Sequence, residues 1–197
     1  MNTRPIKLAV LISGGGTTLQ NLIDVIAAGE LKASIEIVIA SRPGLAGIAR
    51  AENAGLPVYV ATRKAFDSIE AFSDHIFDAC EAAEVDLVVL GGWLQLLRIP
   101  DRWLGRVMNI HPSLLPEFGG KGMFGHHVHD AVLKSGKICS GCTVHFVDNE
   151  YDAGPVISQD CCDVLPGDTP ETLAARVFEL EKKAYPRAIE QFRQKLP

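Results

Sequence analysis

The chain has no excess of basic residues. Its 197 residues include 19 lysines and arginines against 24 aspartates and glutamates, giving a formal net charge of −5. Proteins that bind the phosphate backbone of nucleic acids usually concentrate positive charge to displace counterions. We therefore expect no nucleic-acid partner, although a small phosphorylated substrate needs only a local pocket of positive potential.

Long hydrophobic runs are also missing. The apolar run near the N-terminus, Leu8 to Ile12, is too short for the core of a signal peptide and far too short to cross a bilayer. The five cysteines are odd in number and scattered, which fits reduced thiols better than a disulfide framework. Together these absences predict a cytoplasmic protein with no membrane partner.

Short apolar runs alternate with helical patterns, which predicts an α/β fold. The run Leu87–Leu90 has no polar alternation, as expected of a strand covered on both faces. A single domain, residues 1–197, with a doubly wound, mostly parallel sheet and antiparallel strands at the C-terminal edge fits this order. The predicted strands are 7–12, 35–40, 58–60, 87–90, 107–110, 142–147 and 156–164, and the predicted helices are 18–28, 44–54, 66–83, 128–135 and 169–192.

Three consecutive glycines lie in segment 13–18, between the first predicted strand and the first predicted helix. They let the backbone turn sharply, and the amides at the helix start, with the positive end of its dipole, favour an anion. The segment matches neither the P-loop nor the dinucleotide fingerprint. A phosphate monoester is the ligand we expect, and a tight turn without a ligand is the alternative.

Asn109 and His111 lie at the end of the predicted strand 107–110, the end at which open parallel sheets bind ligands. They are two residues apart, so both side chains share a face of an extended segment, and Pro112 restricts the backbone to that conformation. An amide donor and an imidazolium donor side by side suit the oxyanion of a tetrahedral intermediate. A structural histidine is the alternative interpretation.

Asp152 lies in a predicted turn between the last two strands. A carboxylate there would accept a hydrogen bond from an imidazole, keep it protonated and help remove a proton from an attacking amine. Aspartate before Ala-Gly-Pro is also ordinary turn chemistry. Alone, the residue does not distinguish the two interpretations.

Together these segments resemble the folate-dependent formyltransferases, almost from end to end. The matching residues are Leu11–Gly14 with Gly16, Asn109–Pro116, His145–Val147 and Asp152–Ile157. The resemblance implies a Rossmann-like formyltransferase fold, with residues 1–105 as the nucleotide-binding half and 106–197 as the catalytic and folate-binding half. It also implies no metal.

The reaction that the resemblance implies belongs to purine biosynthesis. The amine of glycinamide ribonucleotide attacks the formyl carbon of 10-formyltetrahydrofolate, giving N-formylglycinamide ribonucleotide and tetrahydrofolate. Asn109 and His111 would stabilise the oxyanion, and Asp152 would orient the histidine and join a proton relay. The partners are then small-molecule substrates, with a homodimer left open.

The resemblance also implies binding residues for each substrate. For the nucleotide these are Gly16, Thr17, Thr18, His127, His129 and Glu181, and for the folate Leu94, Gln95, Leu96, Leu97, Asn109, Asp148 and Asp152. For Glu181, an exposed helix charge is the alternative. Gln95 and Ile69 stand where members of the family place arginines, which weakens attraction for a polyglutamate tail. Lys121, in the glycine-rich loop 118–125, would reach a phosphate or remain solvated.

Other functions remain as alternatives. A related hydrolase uses the same constellation to release formate, and other formyltransferases act on transfer RNA or amino sugars, but these usually have an additional N-terminal or C-terminal segment for which we expect no room here. A non-catalytic nucleotide-binding module would not need the three catalytic residues together.

Cys139 and Cys142, with Cys161 and Cys162, suggest zinc only weakly, because the second pair is adjacent, and we expect ordinary buried thiols.

Overall fold

The computed structural model describes residues 4–196. Within them, strands and helices alternate in the predicted order. The strands are β1 (Ile6–Ile12), β2 (Ala33–Ala40), β3 (Val58–Val60), β4 (Leu87–Leu90), β5 (Val107–His111), β6 (Cys139–Phe146) and β7 (Val156–Asp163). The α-helices are α1 (Thr17–Ala27), α2 (Ala46–Asn53), α3 (Ile69–Ala82), α4 (His126–Lys134) and α5 (Pro170–Arg193).

The strands form one sheet in the order β3-β2-β1-β4-β5-β6-β7. β1 pairs in parallel with β2 and with β4, and β2 pairs in parallel with β3. β6 and β7 pair antiparallel at the C-terminal edge. The predicted fold class, a mostly parallel α/β sheet with antiparallel strands at that edge, is therefore confirmed.

The central strands are the most apolar part of the molecule. Every side chain of β4 is buried, as its lack of alternation predicted, and Val88 and Val89 are 0% exposed. α1 turns Leu19 and Leu22 inward, which is the apolar stripe expected of a helix that packs on a sheet. Removal of this apolar area from water is the main favourable term in folding.

The predicted and observed starts of α3 and β6 differ, because local contacts determine where these elements begin. The helix predicted from residue 66 begins at Ile69, because the hydroxyl of Ser68 accepts a hydrogen bond from the Ala71 amide at 3.0 Å and caps it. β6 begins at Cys139, three residues earlier than predicted, because its pairing with β7 extends to Asp163. Glycine at position 141 allows this pairing to be close, since a Cβ there would meet the backbone of β7.

Two compact units divide the chain. The first runs up to Met108 and includes the chain from Glu190 onward, and the second is Asn109–Ile189. The predicted folate loop, 94–97, lies in the first unit. The division into a nucleotide-binding half and a catalytic half stays a prediction about function.

Among residues 4–196, no helix is both long enough and apolar enough to span a membrane.

Leu8→Ala tests the importance of the central strand for stability. The Leu8 side chain is 0% exposed in β1, so truncation leaves a cavity and should lower the free energy of unfolding by about 2–5 kcal/mol. Ile138→Ala, at a side chain that is 82% exposed, should change it by less than about 0.5 kcal/mol. Equilibrium unfolding in urea measures both values, and similar losses would contradict the assignment of β1 to the core.

Candidate active site

Asn109 and His111 occupy alternate positions of β5, so their side chains share one face of the strand. Asn109 is half-buried, whereas His111 is only 4% exposed. A buried imidazole has restricted access to water, which strengthens its interaction with nearby charges.

Both ring nitrogens of His111 face oxygen atoms. Nδ1 lies 3.6 Å from Oδ2 of Asp152, which is within ion-pair range but longer than a hydrogen bond. On the other side of the ring, the Nε2 hydrogen is donated to the carbonyl oxygen of Phe118 at 2.8 Å. The expected approach of His111 to Asp152 is therefore present. Donation by His111 to a substrate oxygen is not available in this conformation, because its Nε2 hydrogen is already donated to Phe118.

Asp152 has a left-handed backbone, with φ of 53°, a conformation that aspartate tolerates better than most residues. Its Oδ2 accepts a hydrogen bond from the amide of Gly120 at 2.9 Å. The adjacent Gly119 has no room for a side chain, because a Cβ there would lie 3.3 Å from the Asp152 Cβ and would clash with Leu115. The glycine-rich loop therefore packs closely on the carboxylate.

His145 completes this cluster, although the sequence was interpreted without a role for it. It lies on β6 and is 2% exposed. Its Nε2 lies 3.3 Å from the side-chain nitrogen Nδ2 of Asn109 and 3.7 Å from Oδ1 of Asp152. Burial, more than any other effect, lowers the pKa of its imidazole, and the Phe146 carbonyl and Asp152 only partly offset this. This lowering of the pKa favours the neutral form of the ring.

Thr143 and Gln159 hold the segment that follows His111. The Thr143 hydroxyl donates to the carbonyl oxygen of Ser113 at 2.6 Å and accepts from the amide of Leu115 at 3.0 Å. The Gln159 amide donates to Thr143 Oγ1 at 2.9 Å and to the Leu115 carbonyl at 2.8 Å. Because Thr143 is fully buried, this network fixes the chain near His111 rigidly. Sequence reasoning missed both residues.

In the first unit, the glycine turn ends at Gly16, which has φ of 72° and occupies the position that precedes α1. No side chain caps the first amides of this helix, and its first turn contains no acidic residue. These amides, which have no acceptor within the helix, are therefore suited to an anion. Gly16 itself is tightly packed, since a Cβ would lie 2.7 Å from the Cα of Gly47.

Arg50 supports this turn from α2. Its Nε donates to the carbonyl oxygen of Gly15 at 2.9 Å, and another guanidinium nitrogen donates to the side chain of Gln20 at 3.2 Å. The guanidinium adds positive charge beside the uncapped helix start, which favours an anionic ligand. The helical pattern around residue 50 gave no signal for this contact, because it depends on the crossing of α2 over the turn.

Comparison with known proteins shows the family to which the chain belongs. A family model described as formyl transferase matches residues 6–189. The chain belongs to the formyl transferase family.

Several similar proteins have names that describe an activity. This formyltransferase is 42% identical over 187 residues to a trifunctional purine biosynthetic protein adenosine-3 of Drosophila pseudoobscura pseudoobscura, covering 93% of this chain but only 13% of that protein. It is 37% identical to a phosphoribosylglycinamide formyltransferase of Haemophilus influenzae, covering 94% of this chain and 86% of that one. The chain thus spans a small part of the trifunctional protein and most of the bacterial one.

A solved structure shows the same likeness in three dimensions. The phosphoribosylglycinamide formyltransferase of Brucella melitensis aligns with a TM-score of 0.88 and 38% identity, covering 98% of each chain. At this identity and coverage, the alignment supports the fold along nearly the whole length of this formyltransferase.

The loop expected to wall the folate alternates between exposed and buried side chains. Leu94 is 55% and Leu96 is 41% exposed, whereas Trp93 and Leu97 are buried and Gln95 is half-buried. The amide of Leu94 donates to the hydroxyl of Ser13 at 3.0 Å, which anchors the loop to the end of β1. Exposed leucines in a tethered loop are compatible with an apolar ligand surface, so the assignment stays a prediction.

His127 and His129 lie on different sides of α4. His127 is exposed and meets the ring of Phe124 edge-on at 5.6 Å between centroids. His129 is 4% exposed, and its Nδ1 has no hydrogen-bond partner among the described residues. Burial, and then the charges of His126 and His111, lower the pKa of His129. Residues two apart in a helix point about 200° apart, so these histidines do not share a ligand atom.

Glu181 is half-buried on α5, so the alternative of an exposed helix charge is wrong. Burial raises the pKa of its carboxyl to about 7. The Glu181 charge raises the pKa of the Cys142 thiol. On β6, Cys142 is an odd number of residues from Thr143 and from His145. Because successive side chains of a strand point to opposite faces, this places Cys142 away from the face of His145. Binding of the nucleotide by Glu181 stays a prediction.

The cysteines are not uniformly buried, which corrects the expectation. Cys80 and Cys142 are buried, and burial raises the pKa of each thiol to about 12. Cys161 is exposed and Cys162 is half-buried, because no side chain of the edge strand β7 is fully buried. Cys139, at the start of β6, is also half-buried. Within residues 4–196, no three His, Cys, Asp or Glu side chains are grouped so that they could hold a metal ion.

Gly16→Ala tests the packing and conformation of the glycine turn. The added Cβ meets the Gly47 backbone and the left-handed φ disfavours alanine, so the turn must shift and binding of inorganic phosphate or a nucleotide monophosphate should weaken at least about tenfold. Gly29→Ala is the matched control, because Gly29 has φ of 74° but open space around it. Calorimetry measures binding, and equal affinities of the two variants would contradict the assignment.

Glu181→Gln tests the half-buried carboxyl through the pH dependence of stability. The folded pKa of about 7 lies above the ordinary value of 4.5, so the wild-type protein loses stability as the pH rises from the ordinary value through about 7. The variant cannot ionise, so its free energy of unfolding should equal that of the wild type at low pH and exceed it above neutrality. Urea unfolding at low pH and at a pH above neutrality measures this difference in free energy. Glu179→Gln, at an exposed position of α5, is the control.

Proposed function

We propose that this formyltransferase moves the formyl group of 10-formyltetrahydrofolate to the amine of glycinamide ribonucleotide. The products are N-formylglycinamide ribonucleotide and tetrahydrofolate, in purine biosynthesis. The names of the bacterial relatives, which this chain matches over most of their length, support this choice of small-molecule substrates. The observation that carries the proposal is the cluster in which Asp152 lies beside His111 and beside His145, the histidine that contacts Asn109.

The chemistry begins with attack by the neutral amine on the formyl carbon. The electrons of the carbonyl bond move to the oxygen, and the amide N–H of Asn109 stabilises the negative charge that forms there. Asp152 accepts the proton that the attacking nitrogen loses. The oxyanion then re-forms the carbonyl, the bond from the formyl carbon to the carrier nitrogen breaks, and that nitrogen leaves with the proton that Asp152 returns. A half-buried carboxylate beside a buried histidine is suited to this relay, because neither group is fully hydrated.

His111 supplies a second donor only if its ring or the neighbouring loop moves. Its Nε2 hydrogen is donated to the Phe118 carbonyl, so the formyl oxygen must replace that carbonyl before the histidine stabilises the oxyanion. Phe118 has a left-handed φ of 55°, and glycines follow it at positions 119, 120 and 122. Glycines lower the barrier for such a backbone change.

Substrate binding is assigned within each unit separately. In the first unit, we assign the phosphate of the nucleotide to the start of α1, where Gly16, Thr17 and Thr18 present uncapped amides. The pterin is assigned to the loop 94–97, and the second unit contributes Asp148 and the catalytic residues. The weak attraction for a polyglutamate tail follows from Gln95 and Ile69, which have no charge.

Asn109→Ala and Asp152→Asn test the reaction. Each should lower kcat by about 10²- to 10⁴-fold while leaving nucleotide affinity within about threefold, because these groups act on the transition state. Asn53→Ala and Asp163→Asn, both at exposed positions, are matched controls that should keep wild-type rates. Absorbance of the folate product measures transfer. Release of formate by the wild type without the amine would indicate a hydrolase instead.

A further inference from the structure

His145 has contacts on both ring nitrogens, and one of them fixes where its proton lies. Nδ1 is 2.9 Å from the carbonyl oxygen of Phe146. A carbonyl oxygen only accepts hydrogen bonds, so Nδ1 must hold the hydrogen. In a neutral imidazole this leaves Nε2 with a lone pair, and burial, which lowers the pKa of the ring, favours that neutral form.

The lone pair on Nε2 in turn decides how the Asn109 amide is oriented. The two groups are 3.3 Å apart, with the amide nitrogen Nδ2 on the side of His145. A flipped amide would place its oxygen against the lone pair of Nε2, so two acceptors would face each other and both would lack a donor. The neutral histidine therefore selects the orientation in which Nδ2 faces it.

Asp152 does not compete for this contact. Its Oδ1 is 3.7 Å from His145 Nε2, and a carboxylate oxygen and an imidazole lone pair cannot form a hydrogen bond without a proton between them. The Asn109 amide hydrogen already satisfies Nε2. The opposite arrangement holds at His111, whose Nε2 donates and whose Nδ1 faces the other carboxylate oxygen.

We propose that His145 is a positioning residue, which accepts one hydrogen of the Asn109 amide and thereby presents the second hydrogen to the formyl oxygen. The inference rests on the proposed function, because it assigns a role in that reaction. Two other interpretations make different predictions: a purely structural histidine that fills the core, and a proton relay between His145 and Asp152.

The test is a double-mutant cycle between His145 and Asn109, measured with glycinamide ribonucleotide and 10-formyltetrahydrofolate. His145→Leu removes the acceptor and should lower kcat about 10- to 100-fold, with each KM within about twofold. His145→Gln, whose amide oxygen accepts near the position of Nε2, should recover part of kcat. In the Asn109→Ala background, His145→Leu should lower kcat by less than about twofold, because its partner is gone.

Three outcomes would overturn the inference. If His145→Leu lowers kcat as much in the Asn109→Ala background as in the wild type, His145 acts independently of Asn109. Loss of one limb of the pH–rate profile in His145→Gln indicates proton transfer instead of positioning. Equal loss of kcat in the Gln and Leu variants, with matching losses of unfolding free energy, indicates a structural role. His75→Leu, at an exposed histidine, is the control and should keep wild-type kinetics.

Nitrogen-15 NMR of the substrate-free protein separates the inference from the proposed function. His145 should show a protonated Nδ1 and an unprotonated Nε2 at neutral pH, and a proton on Nε2 contradicts the inference whatever the activity. A wild-type protein that has the expected tautomer but transfers no formyl group would instead overturn the proposed function, and the geometry at His145 would stand.

Discussion

The carboxylate of Asp152 directs each of its two oxygens toward a different buried imidazole. Oδ2 lies 3.6 Å from His111 and Oδ1 lies 3.7 Å from His145. This arrangement depends on a left-handed backbone at Asp152 and on the Gly120 amide, which donates to Oδ2. A negative charge in this position interacts strongly with both rings, because the two histidines are buried.

The inequality of the histidines arises from backbone carbonyls. Phe118 accepts the hydrogen on Nε2 of His111, whereas Phe146 accepts the hydrogen on Nδ1 of His145. The same side chain therefore faces its neighbours as a donor in one place and as an acceptor in the other. The orientation of the Asn109 amide follows from this difference, which links the backbone of β6 to the chemistry proposed for β5.

Much of the fold was predictable because local patterns agree with the tertiary structure. The strands 58–60 and 87–90 were predicted with their observed bounds, since flanking turns and unbroken apolar runs delimit them. Asn109 and His111 were predicted to share a face from their spacing alone. The segment 145–147 carried part of the family resemblance, but the role of His145 was missed, because the sequence does not show which groups its ring faces. Its importance comes from β5 and from the turn at Asp152, which are distant in sequence.

The sequence by itself determined the order of strands and helices, the family and the residue types available for catalysis, because apolar periodicity and short motifs are local properties. Only the tertiary structure decided which nitrogen of His111 and of His145 donates to a backbone carbonyl, that His127 and His129 lie on different sides of α4, and that Glu181 is half-buried. These properties depend on neighbours brought together by folding, and a hydrogen bond or a desolvated charge is defined only by those neighbours.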